Sequence, residues 1–298
     1  MMFDEVRKNK LRSWLLIFLF IFLIGLLGAA IGGLYGSVYG GITVAILFSL
    51  FYSMLSYFSG DQMILAMTKS REATKKEFPY LYHTVEGLAI AANIPKPKIY
   101  VIDDTALNAF ATGRDPAHAS ITVTTGLLKA MNRQELEGVV AHEMSHVKNF
   151  DIRMMMLTAV LVGITTLLSD FLLRSFLWGG KEGRREDKGG TLIFALILVG
   201  LILAVLTPII SQMVQLAVSR KREYLADASS AVMTRYPAGL ASALRKISKD
   251  PDPLVDNANR AMAQLFISTP FRKDDSFITG LFSTHPPLKE RIRILENM

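Results

Sequence analysis

The sequence Leu15-Leu16-Ile17-Phe18-Leu19-Phe20 lies near the start of an uncharged run that extends from Ser13 to Gly60. A helix needs about 20 apolar residues to cross the hydrocarbon core of a bilayer, so this run is long enough for two. We therefore predict two transmembrane helices, over Ser13–Tyr35 and Gly41–Phe58, joined by a tight glycine-rich turn. A cleaved signal peptide would have a shorter apolar core, and a second apolar run would not usually follow it at once.

The composition agrees with a membrane protein. Of the 298 residues, 51% are hydrophobic and 20% are charged, which is too apolar for a disordered chain or an ordinary soluble domain. The net charge is +7, but the basic residues mostly flank the apolar runs, so we expect a lipid bilayer with anionic head groups as the partner and no nucleic acid. Since the chain has no cysteine, any metal must be bound by His, Asp or Glu.

Two further apolar runs follow. Gly189–Ser219 is uncharged and long enough to span. Met154–Ser169 gives a weaker signal, because Asp170 and Arg174 interrupt the apolar sequence at its end, and it either spans or forms half of a hairpin. Basic clusters at the outer flanks of the first helix pair predict that both flanks are cytoplasmic. If the third and fourth runs both span, the basic segment Lys181–Lys188 lies outside the cytoplasm, where basic residues are not expected. Whether the third run spans or forms half of a hairpin, the chain returns to the cytoplasmic side. We predict a multi-pass protein of the cell (plasma or inner) membrane, with about four transmembrane helices and cytoplasmic termini.

These runs divide the chain into four parts. Residues 1–60 form the first transmembrane pair, 61–153 a first cytoplasmic part, 154–219 the second transmembrane pair and 220–298 a second cytoplasmic part. The two cytoplasmic parts together are long enough for one compact domain.

The cytoplasmic parts combine helices with short strands. We predict helices over Ser70–Asn93, from Asn132 through Val147, over Glu223–Arg245 with a break near Pro237, and over Leu288–Leu295. Asn132, with Glu135 three residues on, resembles a capping box at the start of the second of these helices. The runs Lys98–Ile102 and Ala119–Thr124 are rich in β-branched residues, and Asn108–Ala111 lies between them as a further strand. The predicted fold class is therefore an α+β membrane protein, mainly helical, with a small β-sheet.

The pattern His142-Glu143-Met144-Ser145-His146 lies within one of these predicted helices. At a spacing of i, i+4 both imidazoles leave the same helix face and can bind one metal ion. Glu143 is rotated away from the metal and can act on a water molecule that the metal has made more acidic. This arrangement is the machinery of peptide hydrolysis, and by chance it would arise in a chain of this length in about half a percent of cases.

A catalytic zinc ion normally has a third protein ligand, which the pattern does not supply. His146 lies before the third apolar run and Glu223 lies after the fourth, so we expect both residues at the same membrane face. Asp227, one helical turn on, could accept a hydrogen bond from a ligating histidine and fix its tautomer. From the spacing alone, Glu223 is either the third ligand or a charge that balances the neighbouring basic cluster.

Together with Asn108-Ala109-Phe110-Ala111-Thr112-Gly113, Ser219–Asp227 and Ser283-Thr284-His285-Pro286-Pro287, the histidine motif closely resembles the HtpX-type membrane zinc metalloproteases. The resemblance covers essentially the whole chain. It implies a zincin-like cytoplasmic domain that holds one Zn²⁺ per chain, with Glu223 as the third ligand and Glu143 as the general base.

The same resemblance suggests two further roles. His285 is the candidate for stabilising the transition state, as in the related CAAX prenyl endopeptidases, although it equally fits a turn before Pro286. Residues Asn108, Ala109, Phe110 and Ala111 resemble the strand that binds an extended substrate by β-augmentation, and they also fit an ordinary edge strand.

The leading hypothesis is an integral-membrane zinc endopeptidase that cleaves misfolded or unfolded membrane proteins at the cytoplasmic face, in protein quality control and the stress response. A prenyl-protein CAAX-type processing protease is the alternative within enzymes, although four spans are few for a large enclosed chamber. Outside enzymes, a zinc-binding scaffold or a transporter remains, but a scaffold has no use for Glu143, and a transporter should carry charged residues near mid-bilayer. The oligomeric state is not predicted.

Overall fold

The computed structural model describes residues 2–34, 36–161, 163–164, 220–250, 262, 265–268 and 286–298. The end of the third predicted span, the whole of the fourth, and His285 lie outside the described residues. The first two apolar runs form the long helices α1 (Met2–Leu34) and α2 (Val38–Met67), which are long and apolar enough to cross a membrane. Helix α1 starts before the first predicted span, and α2 extends beyond the second at both ends, because the helical turns continue into the flanking residues.

Helices α1 and α2 form an antiparallel hairpin whose close contact depends on glycine. The link is shorter than predicted: Gly36 has a positive φ of 79°, and the Ser37 side chain caps α2. A Cβ added to Gly28 would lie 2.5 Å from the Gly41 carbonyl oxygen. The backbones can therefore approach this closely only with glycine at that crossing, as in other tightly packed membrane helices.

The packing of α2 is the reverse of that in a soluble protein. The residues it buries are mostly small or weakly polar, and they include Ser49, Ser53, Ser56 and Gly60. The residues it exposes are large and apolar, among them Leu47, Phe51, Met54 and Phe58. Small residues at helix interfaces and large apolar residues facing outward are typical of a helix surrounded by lipid.

A four-stranded mixed sheet follows the hairpin, in the order β1 (Arg71–Glu72), β2 (Lys98–Ile102), β4 (Ala119–Thr124), β3 (Ala109–Gly113). Strands β2 and β4 are parallel, and the outer two strands pair antiparallel to their neighbours. Strands β2 and β4 have the predicted bounds, and β3 is shifted by one to two residues. The first residues of the predicted helix over Ser70–Asn93 instead form β1 and a turn, because Pro79 lacks an N–H and starts helix α3 (Pro79–Ala92).

The remaining helices surround α5 (Arg133–Lys148), which follows the short α4 (Thr125–Ala130). They are α6 (residues 151–161), α7 (Arg220–Thr234), α8 (Pro237–Ser248) and α9 (Leu288–Glu296). One continuous apolar core of the described residues extends from α1 through the sheet to α9. The predicted break near Pro237 is confirmed, since Arg235 has a positive φ of 53° and Pro237 begins α8.

The chain turns sharply between α5 and α6. Phe150 has a positive φ of 60°, so α5 does not run straight on into the third apolar run. Helix α6 packs against α2, where the Tyr52 hydroxyl donates to the Val160 carbonyl oxygen at 3.4 Å and Met156 contacts Gly60. The start of the third run therefore lies beside the first helical hairpin.

Candidate active site

Helix α5 holds the two histidines of the motif in fixed positions. A capping box starts the helix: the Glu135 N–H donates to Asn132 Oδ1 at 3.0 Å, and the Asn132 N–H donates to Glu135 Oε2 at 2.8 Å. His142 and His146 lie one turn apart, are 1% and 4% exposed, and bring their Nε2 atoms within 3.2 Å of each other. The capping box was predicted from the sequence and is confirmed.

Glu223 of α7 completes a triangle with the two histidines. Its Oε1 lies 3.5 Å from His146 Nε2, and its Oε2 lies 3.7 Å from His142 Nε2. Three ligand atoms, one from each residue, lie within 4.8 Å of one another. A tetrahedral zinc ion with ligands at about 2.0–2.2 Å holds neighbouring ligand atoms about 3.3–3.5 Å apart. The three side chains therefore fit one ion of this size.

Two carboxylates fix the tautomers of the histidines. His142 Nδ1 lies 2.9 Å from Asp227 Oδ1, and His146 Nδ1 lies 3.0 Å from Asp151 Oδ2. Each Nδ1–H donates to its carboxylate, so both Nε2 lone pairs point to the same place. Two lone pairs at 3.2 Å repel each other unless a cation, either a proton or a metal ion, lies between them. The donor set therefore favours a cation at the centre of the triangle.

Glu143 lies beside the triangle without joining it. It is 1% exposed, and the backbone N–H of Ala111 on β3 donates to its carboxylate. Its Oε2 has no hydrogen-bond partner among the described residues. Burial raises the pKa of Glu143 to about 7, so this carboxylate can both accept and release a proton near neutral pH.

The two histidines differ in their affinity for protons. Burial and the charge of Arg291 lower the pKa of His142, which favours the neutral imidazole that binds metals. Burial also disfavours a charge on His146, but the hydrogen bond to Asp151 and the charge of Glu223 outweigh it and raise its pKa to about 9. His146, which lies next to Glu223 and Asp151, therefore carries a positive charge more readily than His142 does.

Arg291 of α9 is a site residue that the sequence analysis did not identify. It is fully buried and binds Asp227 with two hydrogen bonds, Nε–Oδ2 at 2.8 Å and Nη2–Oδ1 at 2.7 Å. Its Nη1 lies 3.4 Å from Glu223 Oε2. It thus holds α7, which carries Glu223 and Asp227, against the C-terminal helix. No local sequence signal distinguishes Arg291 from the exposed Arg293 on the same helix.

Asp151 was also missed. It lies five residues after His146, and a straight helix would place the two side chains on different faces. The turn at Phe150 brings them together, which the pattern of apolar residues does not reveal. Asp227, by contrast, occupies the position that the sequence suggested.

The outer edge of β3 is already paired over part of its length. The Ile267 N–H donates to the Ala109 carbonyl oxygen at 2.9 Å, Phe266 pairs with Phe110, and Asn108 Nδ2 donates to the Ser268 carbonyl oxygen at 3.1 Å. Ala109, Phe110 and Ala111 are thus on the edge strand beside Glu143, as predicted, while Asn108 directly precedes the strand. Residues 265–268 occupy the edge at Ala109 and Phe110.

A buried His-His-Glu set beside the buried carboxylate of Glu143, on a mainly helical chain with a paired apolar hairpin, defines the class of a membrane metalloprotease. Residues 75–298 match the sequence profile of peptidase family M48, and the chain belongs to this family. The predicted resemblance to HtpX-type proteases is confirmed.

Three curated relatives are each described as a protease HtpX homolog. The relative from Dictyoglomus thermophilum is 46% identical over 99% of this chain and 94% of its own length. The one from Tropheryma whipplei is 47% identical over 83% of this chain and 82% of its own, and the one from Streptococcus thermophilus is 41% identical over the full length of both. The crystal structure of S. mikatae Ste24p has a similar fold, with a TM-score of 0.54 and 21% identity over 98% of this chain and 67% of that one.

Proposed function

We propose that this metalloprotease binds one zinc ion per chain through His142, His146 and Glu223, and that Glu143 is the general base. The convergence of the three ligand atoms on one point, with the free Oε2 of Glu143 beside it, carries the proposal. A zinc-binding scaffold would need the three ligands but would have no use for a second buried carboxylate beside them, one of whose oxygens has no hydrogen-bond partner among the described residues.

The side chains around the site each have a task in hydrolysis. Zinc bound there supplies a Lewis acid that makes water a nucleophile at neutral pH. Glu143 Oε2 accepts the proton from the attacking water and later gives it to the nitrogen of the leaving amine. Asp227 and Asp151 keep the Nδ1–H groups of the two histidines in place, so that both Nε2 atoms stay available to the metal.

We infer that the substrate is an extended chain that pairs with β3 near Asn108–Ala111. The N–H of Ala111 already donates to Glu143, so a strand on this edge lies next to the general base. Pairing at Ala109 and Phe110 requires that residues 265–268 leave the edge, because one strand edge accepts one partner. Unfolded or misfolded membrane proteins offer such unpaired backbone, and folded domains do not.

The proposed place of action is the cytoplasmic face of the cell membrane, in protein quality control and the stress response. Basic residues flank the first hairpin at its open end, where the peptidase domain lies, and a positive flank faces the cytoplasm. The N-terminus, the active site and the C-terminus would then share one side of the membrane. The end of the third run and the whole fourth run, proposed as the second transmembrane pair, lie outside the described residues.

The deciding experiment compares the wild type with Glu143→Gln, both purified in detergent. Zinc content is measured on each sample, and so is cleavage of casein, which is an unfolded protein. We expect equal zinc content and a loss of cleavage of about 10²–10⁴-fold in the variant, because only the proton transfer is removed. Glu137→Gln is the matched control, since Glu137 lies on the same helix but pairs with Arg133 at the surface.

The outcomes separate the two halves of the proposal. If both proteins bind zinc and only the wild type cleaves, with inhibition by a chelator, the assignment of Glu143 holds. Equal cleavage by wild type and Glu143→Gln would exclude Glu143 as the base. A wild type that binds no zinc would exclude the metal site.

A further inference from the structure

Helix α1 reaches the active site through Asn9. This residue is 1% exposed, and its Nδ2 donates to Asp151 Oδ1 at 2.6 Å and to the Asn149 carbonyl oxygen at 3.1 Å. The other oxygen of Asp151, Oδ2, accepts from His146 Nδ1 at 3.0 Å. A continuous chain of hydrogen bonds therefore joins the first membrane helix to a proposed metal ligand.

The surroundings of Asn9 match the two ends of an amide. Its donor end faces two acceptors, the Asp151 carboxylate and the Asn149 carbonyl, while its Oδ1 faces Arg222 Nη1 at 3.5 Å. Arg222 Nη1 also lies 3.7 Å from Asp151 Oδ1, and Arg222 directly precedes Glu223 in the chain. In the flipped amide, Oδ1 would face the oxygens of Asp151 and Asn149, and Nδ2 would face the Arg222 guanidinium. The neighbours therefore fix the orientation of the amide.

The position of Asn9 on α1 gives this contact its significance. The Ser13 hydroxyl, one turn on, donates to the Asn9 carbonyl oxygen at 2.8 Å, and the uncharged run begins at Ser13. Four residues of helix rise about 6 Å, so the hydrogen-bond chain starts about one helical turn before the apolar part of the helix begins. The same helix that anchors the protein therefore also supports a ligand of the proposed zinc ion.

We propose that Asn9 is a positioning residue of the metal centre: it orients Asp151, which orients His146, so zinc is bound tightly only when α1 is packed in place. This proposal rests on the proposed function, because it requires His146 to be a zinc ligand. Groups that orient a metal ligand from outside typically change metal affinity about 10–100-fold when they are removed.

The first test measures zinc affinity by competition with a chromophoric chelator, on full-length protein in detergent. Asn9→Ala should weaken zinc binding about 10–100-fold and alter the visible absorption spectrum of the cobalt-substituted protein. Ser13→Ala is the matched control, because Ser13 is buried on the same helix and, among the described residues, its hydroxyl bonds only within that helix. Unchanged affinity and spectrum in Asn9→Ala would overturn the proposal and leave Asn9 a packing residue.

A pair of reciprocal substitutions tests the hydrogen bond itself. In Asp151→Asn, one of the two carboxylate oxygens becomes an NH2 group, so the acceptor that faces either His146 or Asn9 is lost. Adding Asn9→Asp supplies a carboxylate at position 9, to which the amide introduced at position 151 can donate while its oxygen accepts from His146. Asn9→Asp by itself also loses the bond to the Asn149 carbonyl oxygen, so it should weaken zinc binding too. The double variant should therefore bind zinc more tightly than the two single losses added together predict.

This comparison remains decisive if Asn9→Ala fails to fold. A double variant whose loss of zinc affinity equals the sum of the two single losses would overturn the role of Asn9. His146→Ala distinguishes this failure from a failure of the proposed function. If His146→Ala leaves zinc affinity unchanged, the metal site itself is wrong. If His146→Ala abolishes binding while the Asn9 variants behave as wild type, only the role of Asn9 is wrong.

Discussion

Arg291 is the buried counter-charge of the active site. Its guanidinium forms two hydrogen bonds to Asp227 and lies close to Glu223, and all three side chains are buried. Removing one partner of such a group leaves a buried charge without compensation, which costs about 3–5 kcal/mol. We therefore expect Arg291→Met to lower the midpoint of thermal unfolding by many degrees, measured in detergent, and to weaken zinc binding.

Two variants control this experiment. Arg293→Met removes an exposed guanidinium from the same helix and should change the unfolding midpoint little. Arg291→Lys should lower the unfolding midpoint nearly as much as Arg291→Met, because an ammonium cannot reproduce the two parallel hydrogen bonds to Asp227. Full stability in Arg291→Lys would show that charge alone is needed.

At the scale of residues, the sequence predicts what local geometry decides. His142, Glu143 and His146 follow from helical spacing, and Glu223 and Asp227 from their place after an apolar run together with the family resemblance. Arg291, Asp151 and Asn9 could not be found in this way. Their roles depend on which helices meet and on the turn at Phe150, and neither is encoded in a spacing.

The start of helix α5 gives the domain an acid-sensitive contact. Burial opposes ionisation of Glu135, but hydrogen bonds from Lys246, the Asn132 N–H and Ser242 outweigh it and lower its pKa. The ionised carboxylate therefore stabilises the fold above its ordinary pKa of 4.5, and this contribution is lost as the pH falls through the lower pKa of the folded protein. We expect Lys246→Met to lose about 1 kcal/mol at pH 7 and to show a smaller further loss in acid than wild type.

Denaturant unfolding of both proteins between neutral and acidic pH checks this difference. Lys249→Met provides the control, since Lys249 is an exposed lysine just beyond the same helix. Parallel stability curves for wild type and Lys246→Met across the acidic range would contradict the assignment of the shift to this contact.

Residues 265–268 compete with substrate if both use the edge of β3. Ile267→Pro removes the N–H that donates to the Ala109 carbonyl oxygen, so the segment should detach from the strand. With the edge free, we expect the KM for an extended peptide to fall several-fold while kcat changes little. Ser268→Ala keeps the backbone bonds and should leave KM unchanged. A KM that rises in Ile267→Pro would instead make the segment part of the substrate site.

Elements were predicted where their signal is local. The capping box at Asn132 and the β-branched runs of β2 and β4 determined their elements from sequence alone. Strand β1 was missed because its two residues have no pattern of their own and form a strand only by pairing with Val101 and Tyr100. The turn at Phe150 was missed because a positive φ at a bulky residue is imposed by tertiary contacts.

On the scale of the whole molecule, the hairpin and the peptidase domain are one unit. The apolar runs identify α1 and α2 as membrane helices, and their inverted packing, with small residues inside and large apolar residues outside, agrees with this. Composition could not reveal that α1 also enters the domain, where Asn9 meets Asp151 across 142 positions of sequence. The anchor therefore also takes part in the architecture of the site.

The proposed orientation of the whole molecule can be tested because the chain has no cysteine. Tyr39 lies at the turn of the hairpin and is 86% exposed, while Ile90 lies on the peptidase domain and is 78% exposed. If the domain is cytoplasmic, a membrane-impermeant maleimide added to spheroplasts should label Tyr39→Cys and spare Ile90→Cys until the membrane is permeabilised. The cysteine-free wild type measures background labelling. Labelling of Ile90→Cys alone in sealed spheroplasts would mean that the active site faces outward, and its substrates would then have to be sought outside the cytoplasm.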